Sequence, residues 1–388
     1  MPARVYLDWN ATTPLRTEAR EAMTAAWDLS GNPSSVHAEG RQARKLVEDA
    51  RASISGAVGA LSRNVIFTSG GTEANALALT PGLRRGAGLG VERLVVSAIE
   101  HASVLAGGQF PVEAISAVGV TSSGLLDLDR LRAMLEGEPP ALVSVMVANN
   151  ETGAVQPVKE AAEIVHSAGG LLHVDAIQAF GKIPIDINEL NADLITLSAH
   201  KVGGPKGVGA LVLADAVQGF EPLLRGGGQE KGRRAGTENV AGIAGFGAAA
   251  KAAMGALADD AIRLESLRNR LESGLRKTPG VIVFSDDVSR LPNTTLFTVP
   301  GLRAETAVIG FDLAGIAVSS GSACSSGKVQ PSHVLKAMGF GPKLAQGAVR
   351  LSLGWSTSDA DIDCCLEAWR KLAGTLLKGG DETLLERF

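Results

Sequence analysis

The chain has 388 residues, of which 45% are hydrophobic and 20% charged, and its formal net charge is −4. A chain of this length exceeds the size at which a single hydrophobic core stops growing, so we expect one large core or two domains. Charges of both signs are scattered along the sequence. This excludes the basic stripe of a nucleic-acid-binding protein and the acidic block of a disordered tail, and it favours small molecules or other proteins as partners.

The first part of the chain begins with a polar segment and then alternates between two patterns. Residues 1–8 lack the apolar core of a signal peptide. Between about residues 60 and 215, amphipathic helical stretches alternate with short Val/Ile/Leu runs at 64–68, 93–97, 141–146, 171–175, 193–198 and 209–213. Continuous apolar runs indicate strands buried on both faces, so we predict an α/β fold with a mainly parallel sheet flanked by helices. In such sheets the ligand binds beyond the carboxyl ends of the strands.

The pattern changes after about residue 255. We predict a charged helix over 259–277, short strands at 281–284, 294–298 and 349–353, and a final helix. These elements indicate a smaller α+β domain. The predicted division places a large cofactor-binding domain at 16–257 and a small domain at 1–15 and 258–388.

Two further observations concern the cellular location. The longest weakly charged stretch, 239–250, is shorter than the ~20 apolar residues that span a membrane, so we predict no membrane segment. The three cysteines are Cys324, Cys364 and Cys365. An odd and sparse set argues against a disulfide framework and predicts a reducing, cytoplasmic location.

The turn Thr68-Ser-Gly-Gly-Thr-Glu-Ala-Asn75 is a candidate phosphate site, because it follows a predicted strand and opens an Ala/Leu-rich helix. Glycine lets the backbone approach a ligand closely, and the free N–H groups at a helix N-terminus attract phosphate. An ordinary capped turn, with Thr72 as the N-cap, is the alternative.

An acidic residue and a lysine end two successive predicted strands. Asp175 closes an otherwise apolar run, where a carboxylate is costly unless it meets a cation or a strong donor such as a protonated pyridine nitrogen. A helix N-cap is the alternative. Lys201, in Ser198-Ala-His-Lys201, precedes a Gly-rich turn, and desolvation there would lower its pKa and suit a Schiff-base amine. A solvated surface charge is the alternative. Taken with the glycine turn, these residues provide what pyridoxal phosphate requires: a phosphate cradle, a partner for the ring nitrogen and an imine-forming lysine.

Three more positions are candidates for chemistry. His101 follows an apolar strand and has the means to stack on a ring or transfer a proton, unless it only begins a helix. The polar loop 149–153 is a candidate site wall or a simple turn. Cys324 stands in Ser319-Ser-Gly-Ser-Ala-Cys-Ser-Ser-Gly327, where small residues predict a mobile segment suited to a nucleophile that travels; a tight turn is the alternative. Cys364 and Cys365 lie on the final helix, and we predict that both are packing residues.

The motifs together resemble the NifS/IscS family of cysteine desulfurases, which are class V, fold-type I pyridoxal-phosphate enzymes. The resemblance covers almost the whole chain, in family order, through the segments 7–14, 31–35, 69–73, 149–153, 173–178, 198–201, 234–238, 320–324 and 349–354.

The resemblance implies a role for each matching residue. It makes Lys201 the Schiff-base lysine and the base that removes the Cα proton, Asp175 the partner of the pyridine nitrogen, and His101 a ring-stacking acid or base. Further residues would contact the cofactor's ring hydroxyl side or its phosphate: Gln178, Asn150, Gly71, Thr72, Ser198 and His200. Thr237 would reach the phosphate in a neighbouring subunit, which implies a homodimer with shared sites.

The resemblance also implies the reaction. Arg350 would bind the carboxylate of L-cysteine, and the Cys324 thiolate would take the substrate sulfur as a persulfide, with L-alanine as co-product. The implied partner is a sulfur-acceptor protein such as an iron–sulfur scaffold, and Cys324 is a candidate transient ligand of a cluster. A selenocysteine lyase or another class V aminotransferase, which would not need Cys324, is one alternative. A cofactor-free scaffold or regulator is the other.

Overall fold

The computed structural model describes residues 4–321 and 331–377. These residues form strands with the following bounds: β1 (Val5–Tyr6), β2 (Val65–Thr68), β3 (Arg84–Arg85), β4 (Arg93–Ser97), β5 (Ile115–Val118), β6 (Ala141–Met146), β7 (Leu171–Asp175), β8 (Leu194–Ser198), β9 (Gly209–Leu213), β10 (Val217–Gln218), β11 (Ile282–Val283), β12 (Thr294–Thr298), β13 (Ile316–Ala317), β14 (Ser319–Ser320) and β15 (Val349–Ser352).

The helices of the described residues surround these strands. Their bounds are α1 (Thr17–Trp27), α2 (Ala38–Ala57), α3 (Gly71–Ala78), α4 (Ala102–Leu105), α5 (Leu128–Leu135), α6 (Val158–Ser167), α7 (Val240–Leu275), α8 (Ala304–Leu313), α9 (His333–Ala337), α10 (Pro342–Ala345) and α11 (Asp359–Leu376).

The large sheet has the strand order β2-β9-β8-β7-β6-β4-β5. Strands β5, β4, β6, β7 and β8 run parallel to one another, whereas β9 is antiparallel to both β8 and β2. The connection 199–208 between β8 and β9 is too short for a crossover helix, which explains why this pair is antiparallel. The mainly parallel sheet flanked by helices that the sequence predicts is thus confirmed.

The edge of this sheet at the carboxyl ends of its parallel strands positions the site. Strands β6, β7 and β8 are buried along their whole length and end at Met146, Asp175 and Ser198. Met146 lies opposite Asp175 in the register of β6 and β7. Polar residues that follow these strands therefore meet at one edge, while the apolar side chains fill the cores on both faces.

Helix α7 begins earlier than the sequence predicts, at Val240 rather than at Asp259. Asn239 caps it by accepting a hydrogen bond from Gly242 N at 3.0 Å. Its glycines obscured the helical pattern, but they allow close packing: a Cβ added to Gly247 would lie 2.6 Å from Ala50 Cα of α2. By length and composition α7 is the one helix of the described residues that resembles a membrane span, and 56% of its most apolar window is buried inside the fold.

A smaller antiparallel sheet has the order β11-β12-β15-β14, and β1 pairs in parallel with β13 beside it. Its own core centres on Trp369, whose ring meets Phe297 edge-on at 5.0 Å and stacks on Phe311. Val5 and Leu7 near the N-terminus and the last part of α7 also pack in this core. The domain boundaries at residues 15/16 and 257/258 stay a prediction.

Candidate active site

A cavity of about 270 Å³ opens at the carboxyl ends of β6, β7 and β8. The structure brings most of the sequence-predicted site residues to its wall, namely Gly71, Thr72, His101, Asn150, Asp175, Gln178, Ser198, His200, Lys201 and Arg350. Their positions in the sequence are far apart, and the sheet edge and the N-terminal segment bring them together.

Lys201 ends the short 3₁₀ turn that follows β8. Its Nζ donates hydrogen bonds to the backbone oxygens of Asn10 at 2.5 Å and Ala11 at 2.8 Å. The side chain therefore lies in the cavity wall rather than on the open surface. Asn10 and Ala11 belong to a stretch that the sequence reasoning matched to a family motif without giving either residue a role.

Asp175, the last residue of β7, is 6% exposed. Its Oδ1 accepts from Ile177 N at 2.9 Å, so it caps a turn and not the helix that the alternative reading required. Its Oδ2 accepts from Asn75 Nδ2 at 2.9 Å. Burial raises the pKa of Asp175, and the two hydrogen bonds together with the nearby His101 and Lys201 oppose that rise.

The sequence reasoning missed Asn75, which links the acidic group to the histidine. The buried Asn75 amide donates from Nδ2 to both Asp175 and Ser103 Oγ, the second at 2.9 Å, and its Oδ1 accepts from Thr196 at 2.6 Å. Each polar atom of the amide is therefore used, which fixes its orientation. Asn75 was visible in the sequence as the last residue of the glycine-turn motif, but its contacts depend on β8 and α4.

His101 is the N-cap of α4, and its Nδ1 accepts a hydrogen bond from Ser103 N at 3.2 Å. Ser103 Oγ lies 2.8 Å from the same nitrogen. A backbone N–H can only donate, so Nδ1 is the acceptor and the proton of the neutral ring is on Nε2. The histidine thus begins a helix, as its alternative reading said, and also lines the cavity.

At one end of the cavity the backbone is suited to an anion. Helix α3 begins at Gly71 with Gly70 as the N-cap, so Thr72 lies in the first turn and is not the cap. A Cβ added to Gly71 would lie 2.4 Å from Ile177 Cδ1 and 3.3 Å from Ser198 Cβ. A larger residue at 71 would have to displace the Ile177 side chain and press on Ser198, whereas glycine leaves room for a ligand beside the first N–H groups of α3.

His200 completes this end of the cavity. Burial lowers its pKa to about 4, and the positive charges of Lys201, Lys206 and Lys182 add to the effect. The imidazole is therefore neutral at neutral pH. Its Nδ1 lies 3.2 Å from Thr12 Oγ1, which ties it to the N-terminal segment.

Arg350 and Gln178 also line the cavity. Arg350 is fully buried on β15, and its Nη1 donates to Asn150 O at 3.0 Å, while its Nε has no hydrogen-bond partner among the described residues. Gln178 Nε2 donates to Asn10 O at 2.9 Å. The backbone oxygen of Asn10 thus accepts from both Gln178 and Lys201.

A buried carboxyl that the sequence reasoning missed precedes His101. Glu100 Oε1 accepts from Met146 N at 2.6 Å, whereas Oε2 has no partner within the described part of the chain. Burial, with repulsion from Asp175, raises the pKa of Glu100 well above its ordinary value, against the opposing effect of the Met146 N–H. No pattern in the sequence distinguishes it from a surface glutamate at a strand end.

One predicted site residue, Thr237, lies outside this cavity, and another, Cys324, is not among the described residues. Thr237 lines a separate cavity with Arg234, and Arg234 pairs with Glu73 of α3 at 2.9 Å. Its predicted contact with a neighbouring subunit stays a prediction. Cys324 lies outside the described residues, so its position and its predicted role as a cluster ligand are not tested. Within the described ranges, no group of His, Cys, Asp and Glu is arranged to hold a metal ion.

The residues on either side of the cysteine segment meet a buried carboxylate. Glu151 Oε2 accepts from Ser332 Oγ at 2.5 Å, and a Cβ added to Gly321 would lie 3.0 Å from the same oxygen. The sequence reasoning gave Glu151 no role beyond membership of the loop 149–153.

The two cysteines of α11 differ in exposure. Cys365 is buried, as expected of a packing residue, and burial raises its pKa to about 12. Cys364 is exposed, because its side of the helix faces solvent, and the prediction for it is wrong.

Comparisons with known proteins agree with this arrangement. The family model of aminotransferase class-V matches residues 5–364. A cysteine desulfurase of Cereibacter sphaeroides is 46% identical and covers 94% of each chain. A cysteine desulfurase of Bradyrhizobium diazoefficiens is 44% identical over 93% of this chain and 92% of its own. The X-ray structure of a NifS-like protein from Rickettsia africae superposes with a TM-score of 0.86, at 38% identity over 96% of this chain and 99% of that one.

Proposed function

Because the chain belongs to the class-V aminotransferase family and to its cysteine desulfurases, we propose that the cavity around Lys201 converts L-cysteine to L-alanine and passes the sulfur to Cys324 as a persulfide. The observation that carries this proposal is the meeting of Lys201, Asp175, the Gly71 turn and Arg350 in one cavity. An amine, a buried acid, an anion cradle and a guanidinium group at one edge suit a reaction at the Cα of an amino acid.

The residues present fit pyridoxal phosphate. The Gly71 turn, which a Cβ would fill, together with Thr72, Ser198 and His200 would hold the phosphate, and the buried Asp175 would hold the protonated ring nitrogen. Lys201 would anchor pyridoxal phosphate. When bound, the cofactor supplies an acceptor for the electron pair released at Cα.

The protein side chains then have separate tasks. Arg350 lines the cavity, and its Nε has no hydrogen-bond partner among the described residues, so it would bind the substrate carboxylate. The Nζ of Lys201 would remove the Cα proton once its amine is free. His101, whose Nδ1 accepts from Ser103 N and leaves Nε2 to carry the ring proton, has the means to move a proton between the substrate thiol and the reacting carbon.

The sulfur transfer balances without an external oxidant. The Cys324 thiolate attacks the substrate sulfur, an S–S bond forms, and the bond from Cβ to sulfur breaks. The electron pair of that bond stays with Cβ, which also gains the proton that the substrate thiol loses. The products are L-alanine and a persulfide on Cys324.

The proposal extends to the oligomeric state, the sulfur acceptor and the cellular location of the protein. We propose a cytoplasmic homodimer in which Thr237 of each subunit serves the other subunit's site. The persulfide would pass to an acceptor protein such as an iron–sulfur scaffold, with Cys324 as a transient ligand of the cluster. The cytoplasmic location suits the reaction because a reducing compartment keeps Cys324 a thiol between turnovers.

The experiment is a single-turnover assay with L-cysteine that measures both alanine and the mass of the Cys324 peptide. Wild type should yield equal amounts of alanine and persulfide, and Cys324→Ala should yield neither at the wild-type rate. Full sulfide release by Cys324→Ala would instead favour a selenocysteine lyase, whereas loss of the cysteine amino group without alanine or sulfide would favour an ordinary aminotransferase. A chain that develops no cofactor absorption with pyridoxal phosphate would favour the cofactor-free scaffold. Lys201→Ala tests the proposed anchor of the cofactor. Lys251→Ala, at a lysine that is exposed on α7, is the matched control.

A further inference from the structure

Lys182 is a buried lysine that the proposed reaction does not use. Its residue is 9% exposed, and its Nζ donates to both oxygens of Gln178, to the backbone O at 2.8 Å and to Oε1 at 3.0 Å. Gly181, with a φ of 77°, brings it under the Lys201 turn: a Cβ at Gly181 would lie 2.5 Å from Val202 Cγ2. The backbone is therefore shaped to place this lysine beside the site.

The charges around Lys182 do not stabilise its ammonium. Burial lowers the pKa of Lys182 well below its ordinary value, and the charges of Lys201 and Arg350 lower it further. Lys182 and Lys201 also line a small common cavity of about 30 Å³ with Arg16 and Asp260. Burying an amine among positive charges lowers the stability of the fold. Lys182 must therefore contribute to function through the hydrogen bonds that it makes.

Those contacts fix the Gln178 amide. An amine or ammonium N–H donates and a carbonyl oxygen accepts, so Lys182 holds Oε1 on its own side. On the other side Nε2 donates to Asn10 O at 2.9 Å, the same oxygen that accepts from Lys201 Nζ at 2.5 Å. Rotating the amide by half a turn would oppose acceptor to acceptor at Asn10 and would lose the hydrogen bond from Lys182 Nζ to Oε1. The second hydrogen of Nε2 is left for a ligand in the cavity that Gln178 lines.

We propose that Lys182 is a positioning residue for the reaction at Lys201: it holds the Gln178 amide in the orientation that presents Nε2 to the bound pyridoxal phosphate. The inference rests on the proposed function, because it concerns the group that Lys201 would anchor. Removing Lys182 leaves Oε1 without its donor, and a lost hydrogen bond of this kind is equivalent to about tenfold in affinity.

The test measures the dissociation constant of pyridoxal phosphate and the pH midpoint of its absorption band in the bound state. Lys182→Met should weaken binding about tenfold and move the midpoint by about half a pH unit or more. Methionine has a volume similar to that of lysine, so the variant should fold, and urea unfolding measures its stability separately from its affinity. Lys182→Arg keeps N–H donors, has the small cavity to accept its bulk, and should recover most of the loss. Lys251→Met, the same change of charge on an exposed face of α7, should match wild type.

The decisive comparison is made in a Gln178→Leu background. If Lys182 acts through Gln178, Lys182→Met adds no further loss of affinity there. An equal loss in both backgrounds, or wild-type affinity and midpoint in Lys182→Met itself, overturns the inference while leaving the proposed function intact. A wild-type chain that does not bind pyridoxal phosphate overturns both.

Discussion

Arg350 and Asp8 form an ion pair at the wall of the cavity, with Nη2 of the arginine 2.9 Å from Oδ1 of the aspartate. The arginine side chain is 2% exposed and the aspartate side chain 19%. The pair holds the guanidinium plane in place, so in the proposed reaction the substrate carboxylate would meet a prearranged donor and not a mobile side chain. Asp8 belongs to a motif that the sequence analysis recognised, but its partner lies more than three hundred residues away.

Replacing Arg350 by lysine tests this role. Arg350→Lys keeps the charge but loses the planar fork, so we expect the KM for L-cysteine to rise about tenfold or more, with a smaller change in kcat. Steady-state alanine formation measures both constants, and Arg370→Lys, exposed on α11, is the matched control. In Asp8→Asn the arginine loses its counterion, and urea unfolding should show a loss of about 1–3 kcal/mol. An unchanged KM in Arg350→Lys would exclude Arg350 as the carboxylate ligand.

The Asn75 amide links Asp175 to Ser103, and replacing it should affect cofactor binding. Asn75→Leu has a similar shape but leaves buried oxygens of Asp175, Ser103 and Thr196 without a donor or acceptor. We expect pyridoxal phosphate to bind about tenfold more weakly and the free energy of unfolding to fall by about 1–3 kcal/mol. Absorbance titration and urea unfolding give the two values. A loss of stability with unchanged affinity would reduce Asn75 to a purely structural residue.

Glu100 makes the stability of the cofactor-free protein depend on pH. Burial, with repulsion from Asp175, raises its pKa well above the ordinary 4.5. The folded state therefore holds a proton that the unfolded state releases, and stability falls as the pH rises upward from about 4.5. Glu100→Gln removes this loss, so at pH 7 it should be more stable than wild type by at least about 1 kcal/mol, with no such gain near pH 4. Urea unfolding over this pH range checks the sign, with exposed Glu136→Gln as the control; a gain that does not depend on pH contradicts the explanation.

The shared-site homodimer can be tested by complementation. Lys201→Ala and Thr237→Ala chains should each be weakly active alone. If Thr237 serves the partner's site, a mixed dimer contains one site with both residues intact and one with neither, so activity should return to roughly half of wild type. Differently tagged chains, purified as the mixed dimer, allow the measurement. Activity no higher than the average of the two parents would place Thr237 in its own subunit's site or in none.

Sequence reasoning succeeded where one local pattern determines the structure. Runs such as 171–175 are recognisable as buried strands because most of their residues are apolar. The rule for parallel sheets then predicts that Asp175 and Lys201 lie at one edge. The glycine turn at Gly71 was also local, since strand, turn and helix follow one another in the chain.

The rest could not be predicted because it depends on contacts between distant segments. Asn10 meets Lys201 through a backbone oxygen, which carries no side-chain signature. Lys182 looks like any surface lysine until the turn at Gly181 buries it. Helix α7 was predicted too short because the fit of Gly247 against Ala50 depends on α2 and not on the helix's own sequence.

The N-terminal wall of the cavity has a consequence for biosynthesis. Asn10 N donates to Ser352 Oγ at 2.9 Å, and Asp8 forms a parallel bridge with Ser352. The segment around Asn10 therefore depends on a strand that lies 342 residues later in the chain for its place beside Lys201. Once residue 213 has been synthesised, all strands of the large sheet are present. The pocket still lacks β15, which carries Arg350 and the Ser352 side chain that binds Asn10. The cavity wall is thus completed only after Arg350 and Ser352 have been synthesised.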